Sequence, residues 1–140
     1  MTSRFLVVLV LAAAVSACKG DTPTSPSVNA NVPYSQTDLR VGTGAEAVVG
    51  SRVSVAYAGW LYDPISTQNK GQQFDAGQFS FTVGQGVIPG FSQMVTGMRV
   101  GGQRRAVLPP NLGYGSGGNP QAGIPGNATL VFEVELLAIQ

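Results

Sequence analysis

Side chains able to make or break covalent bonds are scarce in this chain, and the scarcity narrows its chemistry. Among 140 residues there is no histidine and a single cysteine, Cys18. A Ser-His-Asp triad, a histidine-ligated zinc, an intramolecular disulfide and a CxxC redox pair are therefore excluded, and no ligand set for a metal or for electron transfer remains. Eight Lys+Arg against 7 Asp+Glu, a formal +1, leave no basic footprint for nucleic acid. Gly42-Thr43-Gly44-Ala45-Glu46-Ala47 has the spacing of a dinucleotide loop, but it leads into Val48-Val49-Gly50 and an alternating strand rather than a helix. It reads as a turn. Asn127-Ala128-Thr129 is a chance match to a glycosylation acceptor, and Arg104-Arg105 reads as a solvated strand edge. The segment from Pro109 to Ala128 is more promising, because a long Gly/Pro-rich loop inside a compact domain is usually functional or disordered. Tyr114 and Ile124, for which such a loop has little structural need, argue for a packed functional loop.

The elements that must hold this loop are mostly strands. Val53, Val55 and Tyr57 alternate with polar or small residues, as do Phe79, Phe81 and Val83. Leu130, Phe132, Val134 and Leu136 fall on one face, with Val131, Glu133 and Glu135 on the other. These patterns predict half-buried strands. A further strand is expected from Arg104 to Leu108, with short edge segments within Val41 to Val49. Phe91, Met94, Val95 and Met98 have the spacing of one apolar helix face, entered at Pro89-Gly90 and left at Gly101-Gly102. The expectation is an α+β domain, a mainly antiparallel sheet with one short helix on its apolar side.

The N-terminal part is of another kind. Arg4 precedes an apolar run from Phe5 to Val15, followed by the small residues Ser16 and Ala17. These are the three parts of a secretory signal peptide; a membrane span needs about 20 apolar residues. Val15-Ser16-Ala17-Cys18 resembles the lipobox of bacterial lipoproteins, in which the cysteine becomes the lipid-modified N-terminus. Acyl chains on Cys18 would anchor the chain to a membrane without spanning it. That implies an exported bacterial lipoprotein of the cell envelope, on the periplasmic side or at the surface of the outer membrane, since Lys19 is not an inner-membrane retention residue in enteric bacteria. The expected organisation is a lipoprotein signal peptide over 1–18, a disordered polar and proline-rich tether over 19–35, and a domain over 36–140.

Within that domain the order of short motifs is distinctive. Val55-Ala56-Tyr57-Ala58-Gly59-Trp60-Leu61 is followed by Phe74-Asp75, Phe79-Ser80-Phe81 and Gly84-Gln85-Gly86-Val87-Ile88-Pro89-Gly90-Phe91. Then come Gly97-Met98-Arg99-Val100-Gly101, Leu108-Pro109-Pro110, Tyr114-Gly115, Ile124-Pro125 and the run from Ala128 to Leu137. The series resembles the FKBP-type peptidyl-prolyl isomerase family over essentially all of Gln36 to Gln140. The resemblance implies a curved antiparallel sheet of five to six strands wrapped around one short helix, with an apolar pocket between them. It implies cis–trans isomerisation of X-Pro bonds in polypeptides, a pocket of the kind that takes macrolide immunosuppressants in many members, and no metal or organic cofactor.

The resemblance also assigns roles. Phe74, Val87, Ile88, Phe91 and Phe132, with Tyr57, would hold the proline ring, and Phe79 would lie on the pocket side of its strand. Tyr114 would offer its hydroxyl to a substrate carbonyl with Ile124 packing over the top, and the Ile88 backbone N–H would be a second donor. Asp75, held by Tyr57, would polarise or orient the twisting amide. Two departures stand out. Phe91 occupies a place where many members have tryptophan, and Ala76-Gly77-Gln78 is a short connection lacking the basic residue some members place there. The rival reading is a non-catalytic binding or chaperone module on the same scaffold, since fold alone does not fix function.

Overall fold

Alternating sequence becomes paired strand in the computed structural model, which describes residues 32–140. The expected signal peptide, the lipidation residue Cys18 and positions 19–31 of the tether lie outside the described residues. Strands β1 (Ser35–Arg40), β2 (Arg52–Tyr62), β3 (Lys70–Thr82), β4 (Gln103–Leu108) and β5 (Leu130–Ile139) form one five-stranded sheet in the order β1-β4-β5-β2-β3. Every pair is antiparallel. Helix α1 (Pro89–Val95) lies on one face.

The core is the layer between that helix and the sheet. Val53 and Val55 of β2, Phe81 of β3, Ala106 and Leu108 of β4, and Leu130, Phe132, Val134 and Leu136 of β5 meet Phe91, Met94 and Val95 of α1. Each such aliphatic or aromatic side chain contributes about 1.5–3 kcal/mol on burial. Val131, on the other face of β5, is buried too, flanked in the ladder by Trp60 and Val107.

α1 is shorter than its apolar spacing suggested. Proline at its first turn needs no N–H partner there, and Gly97, at φ +86°, turns the chain away after Thr96. Met98 is still buried, but on the turn beyond the helix. Gly90 explains the close seating of α1. A Cβ there would lie 2.5 Å from Leu108 side-chain atoms and 2.8 Å from the Leu112 carbonyl oxygen.

Two sequence-based expectations are corrected. Arg104 is not a solvated edge residue. It is 7% exposed, and its guanidinium donates to Asp38 Oδ1 at 2.6 Å and to the carbonyls of Met94 at 2.9 Å and Thr96 at 3.0 Å. A fork of donors is what the open carbonyl end of a helix needs, so this side chain joins β4, α1 and β1. The edge strand is also not within Val41 to Val49, where Glu46 makes a single bridge to Arg99. It is β1, opening at Ser35, one residue before the expected domain boundary, with Tyr34 packed against the core.

Candidate active site

The ladder between β2 and β3 contains one irregularity that shapes the site. Gly59 pairs with Asp75 and Trp60 with Gln73, leaving Phe74 as an extra residue on β3. In a regular strand Phe74 and Asp75 would point to opposite faces. A β-bulge sets two residues of one strand against one of its partner and re-aims a side chain. Both Phe74 and Asp75 line the same hollow, which has a volume of about 530 Å³.

Every layer of the fold contributes to that hollow. Tyr57 comes from β2, Phe79 joins Phe74 and Asp75 from β3, and Phe132 comes from β5. Gly86, Val87 and Ile88 approach along the turn that enters α1, Phe91 rises from its first turn, and Tyr114 reaches in from the loop after β4. The rings brace one another edge to face. Phe91 lies 5.9 Å from Tyr57 and 5.4 Å from both Phe81 and Phe132, centroid to centroid. Phe74 meets Phe132 at 5.5 Å, and Tyr57 meets Phe79 at 5.2 Å. Each contact of this kind is worth about 0.5–1.5 kcal/mol beyond simple burial, so the walls are stiff.

The polar groups are few and aimed. Tyr57 donates its hydroxyl hydrogen to Asp75 Oδ2 at 2.7 Å, and the Ala76 backbone N–H donates to Asp75 Oδ1 at 2.9 Å. The carboxylate is thereby fixed at the exposed edge of the hollow. Burial, then the hydrogen bond to Asp75, its negative charge and the nearby Tyr114 push the Tyr57 phenol up to about 12. Tyr57 is therefore a neutral donor throughout the ordinary pH range. Tyr114 is held by its backbone neighbours. The N–H groups of Gly113 and Gly115 donate to the Pro110 carbonyl at 3.0 and 2.9 Å, and the Tyr114 carbonyl accepts from Gly118 at 3.2 Å. Ile88 caps α1 with its carbonyl, which accepts from Phe91 at 3.0 Å, while its own N–H takes no part in the turn and loop bonds.

Known proteins match this arrangement and its sequence. Residues 44–137 fit the family model described as FKBP-type peptidyl-prolyl cis-trans isomerase. This chain belongs to that family. The chloroplastic isomerase FKBP16-4 of Arabidopsis thaliana is 45% identical over 109 residues, covering 74% of this chain and 46% of that protein. FK506-binding protein 2B of Rhizopus delemar is 41% identical over 139 residues, covering 94% of this chain and 60% of its own length. The chain thus spans about half the length of these curated relatives. Among solved structures, the peptidyl-prolyl isomerase of Pseudomonas syringae pv. tomato aligns with a TM-score of 0.65 at 30% identity, over 85% of this chain and 84% of that one. FkpA of Escherichia coli aligns with a TM-score of 0.63 at 34% identity, over 76% of this chain and 48% of that one.

In this FKBP-type domain, the residues expected from sequence, Tyr57, Phe74, Asp75, Phe79, Val87, Ile88, Phe91, Tyr114 and Phe132, converge on the one hollow. Ile124 does not. It is 2% exposed within the hydrophobic core and is not among the lining residues. The reason lies in the backbone. Ile124 and Asn119 exchange hydrogen bonds at 2.9 and 3.0 Å, folding the loop back on itself and turning the side chain inward. Two glycines were missed as site residues. Gly86, at φ +72°, brings bare backbone to the rim, and its place between Gly84 and Val87 was the available signal. Gly59 contributes by lacking a side chain: a Cβ there would lie 2.6 Å from Phe74 Cζ and 2.8 Å from Phe132 Cε1.

Proposed function

We propose that this domain accelerates cis–trans rotation of X-Pro bonds in exported polypeptides, and that acyl chains on Cys18 hold it at a bacterial cell envelope. The observation that carries the catalytic part is the open, ring-walled hollow with a fixed carboxylate and two phenols at its polar side. The barrier to rotation is about 18–20 kcal/mol because twisting the C–N bond removes amide resonance. The planar amide is the more polar form and is better solvated by water. Transfer from water onto the aromatic walls of this hollow therefore penalises the planar ground state more than the twisted transition state.

No proton has to move. Phe74, Phe91 and Phe132 hold the prolyl ring, and the Tyr114 hydroxyl and Ile88 N–H donate to substrate carbonyls. The Asp75 carboxylate, pinned by Tyr57 and Ala76, faces the carbonyl carbon as it leaves conjugation. A ten-thousandfold acceleration needs only about 5 kcal/mol, four factors of 1.36, a sum within reach of apolar shape and two or three aimed dipoles. The lipid anchor rests on the lipobox-like Val15-Ser16-Ala17-Cys18.

A protease-coupled assay on a Phe-Pro or Leu-Pro peptide tests the activity, with isomerisation well above the uncatalysed rate as the expected result. A folded domain that leaves the rate at background overturns the enzymatic reading. Mass spectrometry of the mature N-terminus tests the anchor, with acyl mass on Cys18 expected and an unmodified N-terminus refuting it.

A further inference from the structure

Resting on the isomerase reading above, we propose that Arg52 selects substrates bearing a carboxylate about three residues from the isomerised proline, on a chain lying extended along the free edge of β3. A second hollow, of about 390 Å³, adjoins the first and is bounded by Arg52, Ser80, Thr82 and Gln85. The two hollows share Phe79 and Gly86 as walls. A polypeptide that leaves the prolyl hollow across those residues therefore enters the second.

Arg52 is the only charged residue bounding that second hollow. Arg40, Lys70, Arg104 and Arg105 each have a carboxylate partner; among the described residues exposed Arg52 has none. Its backbone is nonetheless fixed, because its carbonyl accepts from Gln140 N–H at 2.7 Å and it pairs with Thr82 in the ladder. An anchored backbone carrying an unpartnered guanidinium beside a substrate groove suits a carboxylate, which the planar fork matches in geometry as well as charge.

The edge of β3 supplies the track. The Ser51 carbonyl accepts from Val83, whereas the Arg52 carbonyl accepts from Gln140. Odd-numbered residues in this part of β2 therefore face β3, and even-numbered ones face β5. By the same alternation Phe79 and Phe81 turn their backbone groups toward β2, leaving those of Gln78 and Ser80 at the open edge. Such an edge accepts an added strand through main-chain hydrogen bonds that are indifferent to sequence. Spacing then sets the register. Thr82, opposite Arg52, lies three residues along from Phe79, which is about 10 Å at about 3.3 Å per residue, and an extended substrate covers that span in as many residues.

The test is a pair of otherwise identical Phe-Pro peptides with Glu or Lys three residues from the proline, placed in turn on either side. A neutral Gln peptide is the reference, and the full domain is the enzyme. The ratio of kcat/KM for Glu over Lys is expected to be about three- to tenfold for placement on one side, the scale of an exposed ion pair plus the removed repulsion, and to shrink toward one in high salt. Arg52→Gln should bring the ratio close to one, and Arg52→Glu should invert it. Because each ratio compares two peptides on one protein sample, a partly folded variant does not distort it. Turnover of the Gln peptide with no charge preference on either side overturns this proposal while leaving the isomerase reading intact. A preference that persists in Arg52→Gln overturns it as well. No turnover of any peptide overturns both.

Discussion

Phe74 lies over the bare backbone of Gly59, so closely that a Cβ at position 59 would come within 2.6 Å of Phe74 Cζ. The bulge aims Phe74 into the hollow, and the missing side chain gives the ring room to stay there. Gly59→Ala is therefore expected to displace Phe74 and Phe132 together, at a cost of about 1–3 kcal/mol, and to lower kcat/KM with it. Gly77→Ala is the contrast. Its Cβ would meet Tyr57 only at an ordinary 3.8 Å, so thermal unfolding should show a clear loss in the first variant and none in the second.

Tyr114 separates stability from rate. Among the described residues its hydroxyl makes no side-chain hydrogen bond, unlike that of Tyr57, which is tied to Asp75. Tyr114→Phe should leave the unfolding midpoint unchanged while lowering the isomerisation rate by about three- to tenfold, the worth of one hydrogen bond. Tyr57→Phe releases one oxygen of Asp75, and Asp75→Ala removes the carboxylate. Both should lower the rate with the circular dichroism spectrum unchanged. A Tyr114→Phe variant as fast as the parent would remove that hydroxyl from the mechanism.

Alkali provides a third test. With no histidine in the chain, there is no imidazole to titrate near neutrality, and the rate should be flat from about pH 6 to 9. The Tyr57 phenol is raised from 10.0 to about 12, chiefly by burial. A phenol that releases its proton later in the folded than in the unfolded chain contributes stability that is whole below pH 10 and disappears as pH rises through 12. Burial shifts Tyr34 in the same direction. Tyr57→Phe should therefore lessen the alkaline loss of stability without abolishing it, as read from denaturant midpoints across that range.

Arg104 should matter as much as a core residue. It supplies donors to Asp38, Met94 and Thr96 from a nearly buried position. Arg104→Met keeps the length of the side chain but leaves the carbonyl end of α1 unsatisfied, and is expected to cost about 2–4 kcal/mol. Asp38→Asn should cost less, since that carboxylate is 47% exposed. Equal, small effects from both would remove the guanidinium as the tie between helix and sheet.

Fluorescence offers the last test. Trp60, the single tryptophan, pairs with Gln73 and Val131 and lies under Lys70 Nζ at 4.4 Å, outside the hollow. Filling the hollow with a proline peptide should leave its emission unchanged, whereas Lys70→Gln should shift it. A large emission change on peptide binding would place the bound peptide elsewhere.

The helix and the strands that alternate were readable because their apolar residues recur at the period of the element they form. The pocket was readable only from the family resemblance carried by the order of the motifs, since by period alone Phe74, Phe79, Phe91 and Phe132 are ordinary core. β1 was not. Ser35–Arg40 is exposed along its whole length and carries no apolar period, so its pairing with β4 depends on partners that the local sequence does not reveal. The burial of Arg104 was hidden for a related reason: Asp38 lies 66 residues away, and a charged pair in sequence reads as surface. Ile124 was misplaced because two backbone bonds to Asn119 decide which way it points. The bulge at Phe74 was equally silent, since one extra residue alters the register without altering the composition.

The sheet order puts β1 and β3 on opposite rims. Four strand spacings, roughly 19 Å measured across the sheet, separate the strand by which the described chain enters the domain from β3, which carries Phe74, Asp75 and Phe79. The chain therefore enters the fold on the rim opposite Phe74, Asp75 and Phe79, and the edge of the sheet beside the hollow is left clear of that entry.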